Sequence, residues 1–250
     1  MPGTILCAPV ALALASAASI AVAPQVNVPF MVAHNNGFRL SSRAGGRVKL
    51  DAFLGPFCED SLLALPTLGA LAARYAPEHL EVRAHIFPLP YNQGSWLVAQ
   101  ACAGAALEAT AGTGADNSTA ACLRAVYAQQ MALKDLATWN YTVPSMIEAI
   151  VDVVVAWPAF RGHLDRNALL AQLDFSHQPP HGTGPQPAAY DAAKADWKYG
   201  CSRGVYATPT FLVNQIAISG SGEHPEGKLA AMTVDEWAAV LDPIVNSSAQ

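Results

Sequence analysis

Charge is scarce in this sequence. Charged side chains make up 13% of its 250 residues, and none occurs before Arg39. The 14 Lys+Arg are scattered and outnumbered by 19 Asp+Glu, for a formal net charge of −5. Without a basic cluster the chain is not an electrostatic nucleic-acid binder. With 52% hydrophobic residues it is not a disordered polymer either, which needs low hydrophobicity and high charge. Cysteine is sparse as well, and five are too few for a disulfide-dominated scaffold. There is no internal repeat, no His-x-x-x-His or Cys/His zinc spacing, and no Gly-x-Ser-x-Gly elbow. Gly112-Thr-Gly114 and Gly220-Ser-Gly222 lack the strand-to-helix setting of a dinucleotide loop and read as turns. His177 and His181 share a loop and read as solvated. The five tryptophans fall within helical stretches and read as core. No metal and no organic cofactor is expected.

What is present starts with an apolar, Ala-rich run from Ile5 to Ala23. Small residues at Ala21-Val22-Ala23 fit a signal-peptidase site, with cleavage after Ala17 as the substitute because Pro24 follows Ala23. The expectation is a signal peptide over 1–23 and an N-terminal extension over 24–46. An uncleaved membrane anchor is the alternative, since a helix needs about 20 residues to span a bilayer. Three glycosylation sequons start at Asn117, Asn140 and Asn246 and fit an exported glycoprotein. The expected location is the secretory pathway, in the endoplasmic reticulum lumen or outside the cell. In that oxidising setting the four later cysteines become informative. A helix hairpin turning at Gly112–Gly114 would bring Cys102 and Cys122 together, one of three pairings open to Cys58, Cys102, Cys122 and Cys201.

Past the extension, Arg47 to Leu54 alternates and then turns apolar, as a buried strand does. Leu62, Leu65, Leu68, Leu71 and Tyr75 recur at helical spacing, and Leu80 to Phe87 alternates as a second strand. Strand, helix and strand within about 40 residues make a βαβ unit with a parallel pair. Ser95 to about Leu173 is mostly helical, with breaks at Gly112–Gly114, Pro144 and Trp157-Pro158. The proline-rich stretch 176–187 is a loop. A short helix over 188–199, strands at Thr210–Asn214 and Gln215–Ile218, and a helix over 233–245 complete the chain. This order describes an α/β thioredoxin-like fold: a first half over 47–94, a helical insertion over 95–187 and a second half over 188–250.

Cys58 falls at the junction of the first strand and its helix. Unpaired backbone N–H groups and the helix dipole favour a thiolate there. The flanking Glu59 and Asp60 oppose it. Position alone leaves both a reactive and an inert buried cysteine open.

Two motifs carry a resemblance. Cys58-Glu-Asp-Ser61 stands where the thioredoxin superfamily has Cys-x-x-Cys, and Pro66 stands where its active-site helices often carry a proline. Lys198-Tyr-Gly-Cys-Ser-Arg-Gly-Val-Tyr-Ala-Thr-Pro-Thr-Phe-Leu-Val-Asn214 resembles the DsbA-like signature, in which a Thr-Pro with a cis bond heads a strand. With Pro88-Leu-Pro-Tyr91, the chain is most similar to eukaryotic exported DsbA-like proteins that carry a Cys-x-x-Ser motif. The resemblance implies Cys58 as nucleophile, Ser61 as hydrogen-bond donor to its thiolate, and Pro56, Phe57, Thr208 and Pro209 as the substrate-binding wall. The Thr208 backbone would pair with an extended chain.

Ser61 cannot close an internal disulfide, so the reaction left to this site is a monothiol one. Cys58 would form a mixed disulfide with a protein or peptide, and an outside thiol such as glutathione would release it. The expected function is thiol–disulfide oxidoreductase or isomerase-type activity. A degenerate fold that binds polypeptide without redox turnover is the alternative. A glutathione-dependent transferase or isomerase is a third reading, weakened because Gly55-Pro-Phe57 lacks the serine of that group's motif.

Overall fold

A computed structural model describes residues 36–109, 114–174, 185–218 and 229–247. The expected signal peptide over 1–23, His177, His181 and Gly220-Ser-Gly222 lie outside the described residues. The sheet is built on β2 (Val48–Leu54), whose residues beyond Lys49 are all buried. β2 runs parallel to β3 (Leu80–Ile86) and antiparallel to β4 (Thr210–Val213). A strand buried on both faces has to be nearly continuous in apolar side chains. Leu50, Ala52, Phe53 and Leu54 satisfy that condition, and Asp51 is the exception. Between β2 and β3 runs α1 (Glu59–Arg74), which continues past Pro66 and buries Leu65, Leu68 and Leu71. This is the expected βαβ unit.

β5 (Ile216–Ile218) folds back on β4 through Asn214 and Gln215, both at positive φ, in a two-residue hairpin. The full strand order is β1-β3-β2-β4-β5. The sequence did not announce β1 (Phe38–Arg39), which pairs antiparallel with β3. Two residues are too few to leave a periodic signal, so this strand lay hidden in the expected extension.

The inserted helices are α2 (Ser95–Glu108), α3 (Ala115–Ala128), α4 (Gln130–Leu133), α5 (Asp135–Thr138), α6 (Val143–Ala156) and α7 (Arg166–Ala171), with a 3-10 turn at Pro158–Phe160. Pro144 opens α6 where the sequence suggested a break. Thr142 Oγ1 accepts the Ser145 N–H at 3.3 Å, and proline is well suited to a first helical turn. α8 (Ala188–Ser202) and α9 (Val234–Ser247) finish the unit. α9 packs Trp237 edge-on to Phe211 of β4 at 5.0 Å, and α8 covers the opposite sheet face through Tyr199 against Phe53. No helix among the described residues is long and apolar enough to cross a membrane.

The tryptophans do not all belong to the core. Trp237 is 2% exposed, whereas Trp139 after α5 is 75% exposed and Trp197 on the outer side of α8 is 37% exposed. Helical position alone does not tell which side of a helix faces inward.

A disulfide joins Cys102 of α2 to Cys122 of α3, with both residues buried and their Cα atoms 5.2 Å apart. Alanine-rich faces let the two helices approach within bridging distance. Closing a loop of 20 positions stabilises the fold by roughly 3 kcal/mol in the chain-entropy model. The double variant Cys102→Ala/Cys122→Ala is therefore expected to lose about that much in denaturant titration. Non-reducing peptide mapping should recover the Cys102–Cys122 pair, and finding both thiols free would refute the assignment.

Candidate active site

β2 ends at Leu54, and the chain turns through Gly55-Pro56-Phe57 into α1, whose N-cap is Cys58. No side chain caps this helix start. The positive end of its dipole therefore lies at the residue that carries the thiol. The thiol is free and half-buried, and its Sγ donates to the Thr208 carbonyl at 3.1 Å. The Thr208–Pro209 bond is cis, and both residues are buried. They meet Cys58 because Phe53 pairs with Thr210, which places the end of β2 beside the start of β4.

Gly55 lies at the crossing point. A Cβ there would stand 2.5 Å from Thr208 Oγ1 and 3.0 Å from Cys58 Cβ, so only glycine permits this approach. Thr208 Oγ1 is buried with no hydrogen-bond partner among the described residues.

Ser61 lies underneath, fully buried. Its Oγ accepts the Gly55 N–H at 3.0 Å, and the Tyr127 hydroxyl donates to the Gly55 carbonyl at 3.1 Å. Burial, and then the Cys58 charge, hold the Tyr127 hydroxyl well above its usual pKa against the opposing influence of Ser61, so it stays a donor. Gln130 Nε2 donates to the Pro56 carbonyl at 3.4 Å, and Lys134 pairs with Glu59 at 3.0 Å. Tyr127, Gln130 and Lys134 come from the insertion and went unnoticed in the sequence, where nothing in their spacing connects them to Cys58.

The structure thus brings Cys58, Pro56, Thr208 and Pro209 together. Ser61 is bonded to the Gly55 N–H, where the resemblance implied a bond to the sulfur. Phe57, expected on the substrate wall, is 1% exposed and belongs to the core. Asn117, Asn140 and Asn246 are all exposed.

Behind the site, β3 holds a histidine that sequence reading passed over. His85 is 1% exposed, with Nδ1 2.7 Å from Asp196 of α8 and Nε2 3.2 Å from Asp51 of β2. Its ring stacks on Phe53 with centroids 4.5 Å apart. Asp196 also accepts the Ile86 N–H at 3.2 Å. Burial disfavours the imidazolium, but the two carboxylates outweigh it and raise the pKa to about 9. The charged ring pins α8, which leads into the Thr208–Pro209 loop, onto the sheet. Among the described residues, no group of three or more His, Cys, Asp or Glu is arranged to hold a metal ion.

Solved structures with the same architecture include a candidate protein-disulfide isomerase from Pseudomonas syringae. It superposes with a TM-score of 0.60 at 19% identity, over 79% of this chain and 95% of that one. DsbA of Chlamydia trachomatis matches with a TM-score of 0.54 at 15% identity, over 82% of this chain and 88% of its own. The oxidoreductase NmDsbA1 from N. meningitidis matches with a TM-score of 0.50 at 15% identity, over 82% and 88%. No protein-family model matches the sequence, and no curated protein does. Identities this low establish the fold alone. The chain has a DsbA-like thioredoxin fold.

The His85 clamp has a pH signature. Its folded pKa of about 9 lies above the ordinary value of about 6.5, so its contribution is complete below pH ~6.5 and is lost as pH rises through 9. The urea midpoint is expected to fall across that window. His85→Gln, which leaves the buried Asp51 and the part-buried Asp196 carboxylates without their cation, should lose about 3–5 kcal/mol at pH 6 and flatten the slope. An unchanged slope in the variant would show that His85 does not carry it.

Proposed function

We propose that this chain is a thioredoxin-like thiol–disulfide oxidoreductase of the secretory pathway that works by monothiol exchange at Cys58. The observation that carries the reading is the free Cys58 sulfur, at an uncapped helix start, against the carbonyl that precedes cis Pro209. The names of the structural neighbours, a candidate disulfide isomerase and oxidoreductases, favour the same chemistry.

In the proposed reaction Cys58, having given up its proton, attacks one sulfur of a protein or peptide disulfide. An S–S bond forms to that sulfur, and the other leaves as a thiolate that takes up a proton. An external thiol such as glutathione then attacks the client sulfur, forms a new disulfide with it and returns Cys58 to the thiol. No net oxidation occurs. Thr208 and Pro209 form the wall along which an extended client would lie. Export is supported by the Cys102–Cys122 bridge and by the exposure of all three sequon asparagines.

One observation favours a polypeptide binder without turnover. Ser61 accepts the Gly55 N–H, which makes it a structural support of the loop before the thiol.

Trapping separates the two readings. Incubated with a disulfide-bonded client and then acid-quenched, the wild type should carry mixed disulfides at Cys58, and Cys58→Ala should carry none. Ser61→Cys should gain an oxidisable pair and reduce insulin in the presence of dithiothreitol. If the wild type traps nothing, and a folded, oxidised Ser61→Cys stays inactive, the binder reading takes over.

Expression in a eukaryotic secretory host tests the location. The secreted protein should run heavier than its sequence mass and collapse on glycosidase treatment, whereas an unmodified intracellular product would remove the compartment.

A further inference from the structure

A separate concavity opens where β3 exits the sheet. Pro88 to Pro90 form one wall, the start of α2 at Gly94 to Trp96 a second, and α8 a third. Its volume is about 620 Å³, within the ~300–1,000 Å³ range of small-molecule sites. Trp96 is its hub, edge-on to Tyr190 at 5.5 Å and to Trp197 at 6.5 Å. Two prolines and three packed aromatic rings give rigid, flat, apolar walls, which suit a planar apolar body.

The charged side chains that line the cavity are both lysines. Lys194 and Lys198, one turn apart on α8, line the cavity and are two of only five lysines in the chain. No Asp or Glu lines it. Lys194 Nζ stands 5.3 Å from the centroid of the Tyr190 ring, so a cation is held at the edge of the aromatic surface. α2 also begins here, at Gly94, with no side-chain cap, and the positive end of its dipole adds to the lysines. Asp135 reaches the loop from outside the lining and accepts the Gln93 N–H at 2.7 Å. In a protein of net charge −5, a cavity so lined favours an anion on a flat apolar body.

We propose that this cavity binds a small planar aromatic carboxylate, with the ring between Trp96, Trp197 and the prolines and the carboxylate between Lys194 and Lys198. The site stands apart from the Cys58 chemistry and does not depend on it.

The test is calorimetric titration of the purified protein with 2-naphthoate and with its neutral isostere 2-naphthamide. Circular dichroism monitors the fold of each variant. 2-Naphthoate should bind saturably at one site and about tenfold tighter than the amide, a difference of about 1.4 kcal/mol. Lys194→Ala/Lys198→Ala should weaken 2-naphthoate by about tenfold and shift the amide by less than about twofold. Trp197→Ala should weaken both ligands, and Cys58→Ala should alter neither. The proposal is overturned by unsaturable 2-naphthoate binding, by equal affinity for the acid and the amide, or by binding that survives the double lysine change. Loss of binding in Cys58→Ala would also overturn it, by placing the ligand at the thiol.

Discussion

Everything at the Cys58 site follows from how β2 is paired. Phe53 stands opposite Thr210 on one side and His85 on the other. The first pairing sets the end of β2 against the start of β4, so the thiol and the Thr208 carbonyl meet although 150 residues separate them. The second puts His85 under the strand that delivers the thiol. A slip of one residue would turn every β2 side chain to the opposite face, exposing Leu50, Ala52 and Leu54 to the polar row and sending Asp51 into the apolar one. Register is therefore enforced by the core, and the geometry around Cys58 is a by-product of burying leucine correctly.

The chain has few charges, yet it buries several in one place. Asp51, Glu81, Arg83 and His85 are each at most 9% exposed. An isolated charge would not tolerate this, because desolvation costs several kcal/mol per ion. Here each has a partner. Glu81 accepts from Arg83 at 3.1 Å and from the Gly45 N–H at 2.9 Å, and His85 lies between two carboxylates. Such a row adds little net stability over apolar packing, but it punishes any other placement of α8. The insertion is tied down in a different way. Tyr127 and Gln130 hold the backbone carbonyls of Gly55 and Pro56, so the loop before the thiol cannot move without breaking buried hydrogen bonds.

What could be read from the sequence was whatever has a local period. β2, α1 and β3 announce themselves through alternation and helical spacing, and the Gly-Val-Tyr-Ala-Thr-Pro stretch through its resemblance. β1 has two residues and no period. His85 and Asp196 lie 111 positions apart, and Gly55 and Tyr127 lie 72 apart. Contacts of that range leave no pattern in a single chain, because each residue separately looks ordinary: a histidine in a strand, a tyrosine in an alanine-rich helix. The tryptophans fail for the opposite reason. A helical setting is legible, but the face a side chain occupies depends on partners contributed from elsewhere, which is how Trp197 came to line a cavity and Trp237 the core.

Ser61 shows why motif and geometry have to be weighed together. As a letter in Cys-x-x-Ser it is a missing sulfur. As an atom it is an acceptor for the Gly55 N–H at 3.0 Å, in a position that is fully buried. Thiol sulfur is a weak acceptor, whereas a hydroxyl oxygen accepts well from the amide. The serine therefore holds the Gly55 N–H while Tyr127 holds the Gly55 carbonyl, and a cysteine would leave that buried amide with a poor partner, at a cost of about 1–3 kcal/mol. Rigidity of the Gly55 loop and an internal resolving thiol are thus competing uses of one position. This chain has the rigid loop. The proposed reaction must then take its second thiol from outside, which makes turnover depend on the thiol supply of the compartment and leaves the lifetime of the mixed disulfide to solvent access at Cys58.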